Sequence, residues 1–247
     1  MLRQKDIELT SHGLRLQARL FFSDENDKRP GLLFLAGARS TSFQLSERYN
    51  AWREDLSSKG INSIIFDGPG IGDSEGTVGA SSLVSRLHES IDALRLLVGE
   101  TNTDPDRLGV VALSMGAHIA VRMTETEKGI RALVLDRPAA YGQAAEDKPF
   151  DSGFTEAIRP FMSWDDSRAF TDLAAFKGRT MVIYGSKEEV VPEDIQNRYR
   201  SAAKNNGFNL TLPCMGHFYV REKSESGLAA EREYMSKATD FLLASLS

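Results

Sequence analysis

The chain has 247 residues, of which 41% are hydrophobic and 26% charged, a composition that suits one globular domain of the larger sort with an ample core. Its formal charge of −5 arises from 30 Lys and Arg against 35 Asp and Glu; these are interspersed, and the lack of a basic stripe argues against a nucleic-acid partner. The single cysteine, Cys214, rules out an internal disulfide, no long apolar region follows the first six residues, and no apolar run approaches the roughly 18 residues of a membrane span, so a soluble, cytoplasmic protein without a membrane span is expected.

Ile7–Thr10 and Leu14–Phe22 alternate apolar and polar residues around Ser11-His12-Gly13, which predicts a β-hairpin with one wet face. Continuous apolar runs follow at Gly31–Ala36, Ile61–Phe66, Leu108–Leu113, Ala132–Leu135 and Met181–Tyr184. Short runs without alternation suit parallel strands buried on both faces. Between them lie helical patterns at Leu45–Lys59, stopped by Gly60, and at Leu83–Val98, where Leu83, Leu87, Ile91, Leu94 and Val98 recur at helical spacing. Pro192–Lys204 and Leu228–Leu246 are two more. The alternation predicts an α/β fold: a mostly parallel, doubly wound central sheet of about eight strands, with an N-terminal antiparallel hairpin and helices on both faces. Residues 139–179 break the rhythm, because one crossover helix needs fewer positions. This aromatic stretch reads as a small cap or lid insert within a single domain spanning 1–247.

Ala112-Leu113-Ser114-Met115-Gly116 joins an apolar run to a helix-like run beginning at Ala117. A serine on a sharp strand-to-helix turn has its hydroxyl pushed clear of the backbone, the layout of a nucleophile elbow with consensus G-x-S-x-G. Here Ala112 takes the place of the first glycine. A serine hydroxyl is a weak nucleophile and needs a base, which in turn needs an orienting acid. In the elbow arrangement the chain order is serine, acid, histidine. His217, in a loop after the apolar Phe208–Leu212, is the candidate base; His12 falls in a hairpin turn, His88 on a helix, and His118 on the elbow helix, pointing away from the hydroxyl. The acid should follow a strand end. Glu188, after Met181–Tyr184, is the first candidate, with Glu189 and Asp136 as alternatives. Two backbone N–H groups should bind the oxyanion: that of Met115, and that of Ala38 in the Ala36–Thr41 loop. Arg39 in the same loop is a surface arginine on the plainer reading, or a cation at the mouth of the site on the sharper one.

These motifs resemble the α/β-hydrolase superfamily over nearly the whole chain. Asp67-Gly68-Pro69-Gly70-Ile71-Gly72-Asp73-Ser74-Glu75-Gly76 is similar to its D-x-P-G-x-G-x-S-x-G loop, and Gly185–Pro192 to its G-x-x-D-x-x-V-P segment, with Glu188 in the Asp position. Residues 104–116 resemble the approach to the elbow. Ser11-His12-Gly13-Leu14-Arg15-Leu16 is similar to the start of serine-aminopeptidase-like and feruloyl-esterase-like members. The resemblance implies a serine hydrolase with Ser114 as nucleophile, His217 as base and Glu188 as acid. The chain departs from the pattern at Ala112, at Glu188, and at Ala36, where the oxyanion loop usually carries histidine.

The expected activity is cleavage of carboxylic esters through an acyl-enzyme, without a cofactor; no metal-ligand spacing is present. Aromatic residues of the insert, among them Tyr141, Phe161 and Trp164, suggest a pocket for an apolar or aryl acyl group, or simply hold the insert to the body. The same triad serves thioesterases, acyltransferases, C–C hydrolases and peptidases, because fold and triad do not set the substrate. A catalytically silent binding protein on the same fold is the alternative from another class, and a homodimer stays open as an assembly.

Overall fold

A computed structural model describes residues 2–23, 27–38, 47–213, 215–217 and 225–247. The chain enters through an antiparallel hairpin, β1 (Leu2–Ser11) and β2 (Leu14–Ser23), turned at His12 and Gly13, both with positive φ. There follow β3 (Arg29–Leu35), α1 (Glu47–Ser58), β4 (Asn62–Phe66), α2 (Leu83–Glu100), β5 (Thr103–Leu113) and α3 (Met115–Met123). The second half holds β6 (Ile130–Asp136), three short helices α4 (Gln143–Glu146), α5 (Ser152–Ile158) and α6 (Arg168–Ala175), then β7 (Arg179–Gly185), α7 (Glu193–Ala202), β8 (Gly207–Leu212) and α8 (Glu225–Leu246).

The eight strands form one sheet in the order β1-β2-β4-β3-β5-β6-β7-β8. The β1–β2 and β2–β4 pairs are antiparallel and the remaining five parallel, as expected from the apolar runs. Side chains alternate across the sheet, so β3 feeds two cores. Leu33 and Leu35 join Leu94 and Leu97 of α2 and Ala117 and Ala120 of α3. Leu32 and Phe34 join Trp52 and Leu56 of α1 and Tyr234 and Leu242 of α8. Trp52 closes the second core, its indole N–H donating to Thr239 at 2.8 Å. The strands outrun the apolar segments that predict them: β1 begins at Leu2 and β5 at Thr103, where exposed or polar residues carry the ladder.

Most aromatics between β6 and β7 pack inward. Tyr141, Phe150 and Phe154 form a chain of ring contacts 5.0–5.5 Å apart, against the core shared by α2 and α3. The segment is also tied to α7, where Tyr199 Oη donates to the Ala139 carbonyl at 2.8 Å. Among the described residues, no helix is long and apolar enough to cross a membrane.

Candidate active site

β5 ends at Leu113 and α3 begins at Met115, leaving Ser114 alone to reverse the backbone direction. It does so at φ +53° and ψ −113°, a region that L-residues rarely occupy and that is concentrated at functional sites. The strain is held by Ser114 N–H donating to the Asp136 carbonyl at 2.9 Å, and by the Ser114 carbonyl accepting from Ala117 and Ala139. Strand and helix nearly touch here: a Cβ on Gly116 would meet the Ala36 carbonyl oxygen at 2.6 Å and that of Leu35 at 2.9 Å. Ala112 lies within β5, between Leu35 and Leu135, and its methyl is buried in the core. The sheet therefore accommodates this small side chain where the consensus has glycine.

The β7 and β8 ends bring the other partners to the serine. The chain after β7 loops through Glu188 to α7, and Lys187 N–H donates to the Met215 carbonyl at 2.8 Å, clasping this loop to the one after β8. His217 Nε2 lies 3.2 Å from Ser114 Oγ. On the other side of the ring, Nδ1 lies 2.9 and 3.0 Å from the two Glu188 carboxylate oxygens. An ionised carboxylate only accepts, so Nδ1 carries the proton and Nε2 is left to accept from the serine hydroxyl. Glu188 Oε1 also accepts from the N–H groups of Val190 and Val191, each at 2.9 Å. Burial pushes the Glu188 carboxyl up, but the bonds from His217 and these two amides outweigh it and hold the group below its ordinary value. The side chains of His217 and Glu188 are 7% and 1% exposed, so the pair sits in low dielectric, where its charges act strongly.

The two alternative acids are engaged elsewhere. Glu189 Oε2 accepts from the backbone N–H of His217 at 3.2 Å, and a Cβ on Gly216 would meet the same oxygen at 2.7 Å. Asp136 is locked to Arg137, a residue that the strand pattern does not single out. The only signal in the sequence is two charges at the end of an unbroken apolar run. His118 is buried on α3, its Nε2 3.5 Å from Glu146 and its ring edge-on to Tyr141, and burial lowers its affinity for a proton despite that carboxylate.

Met115 opens α3, and a cavity between it and Gly37 is walled by Leu35, Ala36 and Gly116. Ala38 follows as the last described residue of its loop; Arg39 lies outside the described residues. Tyr141 is wedged between His118 and Phe154. Phe161 is 89% exposed, and its ring touches that of Trp164. Trp164 donates its indole N–H to Asp194 of α7 at 2.9 Å, beyond the Glu188 loop. The glycine-rich loop after β4 is internally bonded, with Ser74 Oγ donating to the Asp67 carbonyl and Glu75 paired with Arg15. Among the described residues, no group of three or more His, Cys, Asp or Glu side chains is placed to hold a metal ion.

Residues 43–164, just under half the chain, match the family model described as serine aminopeptidase, S33. Two uncharacterised proteins of Mycobacterium tuberculosis, from strains CDC 1551 and H37Rv, are each 25% identical over 211 residues, 84% of this chain and 70% of theirs. Among solved structures, the Pyrococcus furiosus esterase Pf2001 is similar over 100% of this chain and 94% of its own, with TM-score 0.72 and 18% identity. Est1E from Butyrivibrio proteoclasticus, solved with ferulic acid bound, gives 0.71 at 16% identity over 97% and 98% of the two chains. A puromycin-hydrolysing peptidase of Mycobacterium tuberculosis gives 0.77 at 17% identity over all of this chain and 40% of its own. Strand order, elbow, the matched segment and these likenesses agree, and the chain has the α/β-hydrolase fold.

Proposed function

We propose that the protein is a serine hydrolase that cleaves carboxylic esters with an apolar or aromatic acyl group. The observation that carries this reading is the continuous hydrogen-bond relay from Ser114 Oγ through His217 to Glu188. Ser114 attacks the ester carbonyl while His217 Nε2 takes the hydroxyl proton, and Glu188 steadies the imidazolium that forms. The N–H groups of Met115 and Ala38 receive the oxyanion. His217 then returns the proton to the departing alcohol, and a water deprotonated by the same nitrogen releases the acid. Ferulic acid in the Est1E structure and the esterase activity of Pf2001 support an ester with an aryl or apolar acid. Beside α7, exposed Phe161 packs on the half-buried Trp164, and this aromatic pair suits the distal part of such a substrate.

The test joins labelling to turnover. A fluorophosphonate should modify Ser114 in the folded protein, and Ser114→Ala should lose about 10⁵–10⁶-fold in kcat on p-nitrophenyl esters with its thermal melt unchanged. A folded protein whose Ser114 stays unlabelled is a silent binding protein on this fold. Acyl-thioesters turned over much faster than esters point to a thioesterase or acyltransferase; the peptidase among the similar structures makes aminoacyl amides a third substrate set, and a C–C hydrolase would leave all three unturned while still labelling.

A further inference from the structure

The backbone of His217 is gripped from two sides by charged side chains. Glu189 accepts its N–H, and the Arg137 guanidinium donates through Nη1 to its carbonyl. The same guanidinium forms a two-pronged ion pair with its own chain neighbour, Asp136: Nε to Oδ1 at 2.9 Å and Nη2 to Oδ2 at 2.7 Å. Successive side chains on a strand point to opposite faces, so neighbours on an extended chain do not meet in this way. The meeting is made by Arg137 itself, which turns left-handed at φ +47° while its N–H donates to the Ile183 carbonyl at 2.7 Å.

Such an arrangement is poorly explained by stability. A left-handed non-glycine residue is strained, and a fully buried ion pair often stabilises no better than apolar side chains of the same volume. The side chains here are 1% and 2% exposed. What the pair does achieve is geometric. The Asp136 carbonyl holds the N–H of Ser114 at 2.9 Å, its carboxylate holds Arg137, and Arg137 holds His217. The two residues that must meet across 3.2 Å hang from one mount.

We propose that Arg137, braced by Asp136, is a positioning residue that sets the His217 ring against the Ser114 hydroxyl. It touches no reacting atom. The inference rests on the reading of Ser114 and His217 as nucleophile and base, and the experiment separates the two. In the full-length protein, the rate of Ser114 labelling by a fluorophosphonate is measured beside kcat and KM on p-nitrophenyl esters.

A displacement of about 1 Å at the reacting atoms lowers rate by about 100-fold. Arg137→Met should lower kcat and the labelling rate by about that factor with KM within about threefold, and Arg137→Lys, which keeps one charged donor, should recover about tenfold of the loss. The Asp136→Asn/Arg137→Gln double variant leaves no unpaired buried charge and guards against misfolding of the single one; it should show the same loss. If neither folds, Arg137→Lys decides, at an expected loss of about tenfold. Kinetics within about threefold of wild type in the deciding variant, or a raised KM at unchanged kcat, overturn the positioning role. A wild-type protein that leaves Ser114 unlabelled overturns the nucleophile reading and this inference together; equal labelling of wild type and double variant overturns the inference alone.

Discussion

Glu188 and Glu189 are adjacent in the chain and serve the same histidine at different atoms. Glu188 meets the ring nitrogen Nδ1 with both oxygens, whereas Glu189 meets the backbone N–H. On the proposed mechanism, in which His217 takes the serine proton, only the first can compensate the charge that forms on the ring. Replacing it by glutamine keeps a hydrogen-bond partner but removes that charge and frees the tautomer, a change that lowers kcat by about 10³–10⁴-fold in triads of this kind. Glu189→Gln keeps an amide oxygen for the backbone N–H, so its kcat should fall by less than about tenfold. Steady-state turnover of the two variants decides, and a Glu189→Gln protein slower than Glu188→Gln reverses the assignment. The meeting of Ser114, His217 and Glu188 was legible in the sequence because Ser114 and Glu188 lie in motifs with their own spacing and His217 is the histidine that lies well downstream of the serine. Arg137 was not. It is 80 residues from the carbonyl it holds, and no local pattern announces a left-handed turn at an arginine.

The parallel strands were legible for a simple physical reason. Each is covered on both faces, so β4, β6 and β7 read as apolar runs, and their burial is nearly complete. The helices were legible only to within a rotation. On α2, Leu83, Ile91 and Leu94 are buried as their spacing predicts, but Leu97 and Ala93 replace Leu87 and Val98 as the deepest side chains. With them Glu89 goes inside, at 2% exposure, which no hydrophobic period could reveal. Burial is the main cause that pushes its carboxyl up to about 7, with Arg86 opposing and Asp92 adding to the rise. Folded Glu89 therefore keeps its proton between 4.5 and about 7, while the unfolded chain releases it. Its contribution to stability is complete below pH 4.5 and is lost as pH rises through 7, a change of about 3 kcal/mol at ~1.36 kcal/mol per unit. Glu89→Gln cannot ionise, so it should exceed wild type by about 1–3 kcal/mol at pH 8 and match it near pH 4.5. Denaturant unfolding at the two pH values is the check; an equal difference at both sinks the argument.

At the scale of the whole molecule, the helix that presents Ser114 also carries the anchor for the segment between β6 and β7. Arg122, near the end of α3, pairs with Glu146 of α4 and with Asp172 of α6, the latter at 2.8 Å. All three side chains are at most 14% exposed. A second pair, Arg168 with Glu125 at 2.7 Å, lies further out on the surface and should contribute little. The aromatic contacts around Tyr141 and Phe154 hold the start of the segment; Arg122 is a buried polar tie to its later part, which Trp164 with Asp194 and Asp165 with Arg198 also join to α7. Removing Arg122 strands two largely buried carboxylates. Burial already raises the Asp172 carboxyl, against the pull of Arg122 and Arg168, and without Arg122 that rise should grow. Arg122→Gln should therefore destabilise the protein by about 3 kcal/mol at neutral pH and expose residues 142–175 to protease ahead of the sheet. Both effects should shrink as pH falls towards that of carboxylate protonation, because a protonated Glu146 and Asp172 no longer need a cation. Limited proteolysis of the native protein at pH 7.5 and pH 5, with the first cleavage sites mapped, carries the decision. Wild-type cleavage rates and sites at both pH values would show that the segment is held without Arg122, by its aromatic contacts and its ties to α7.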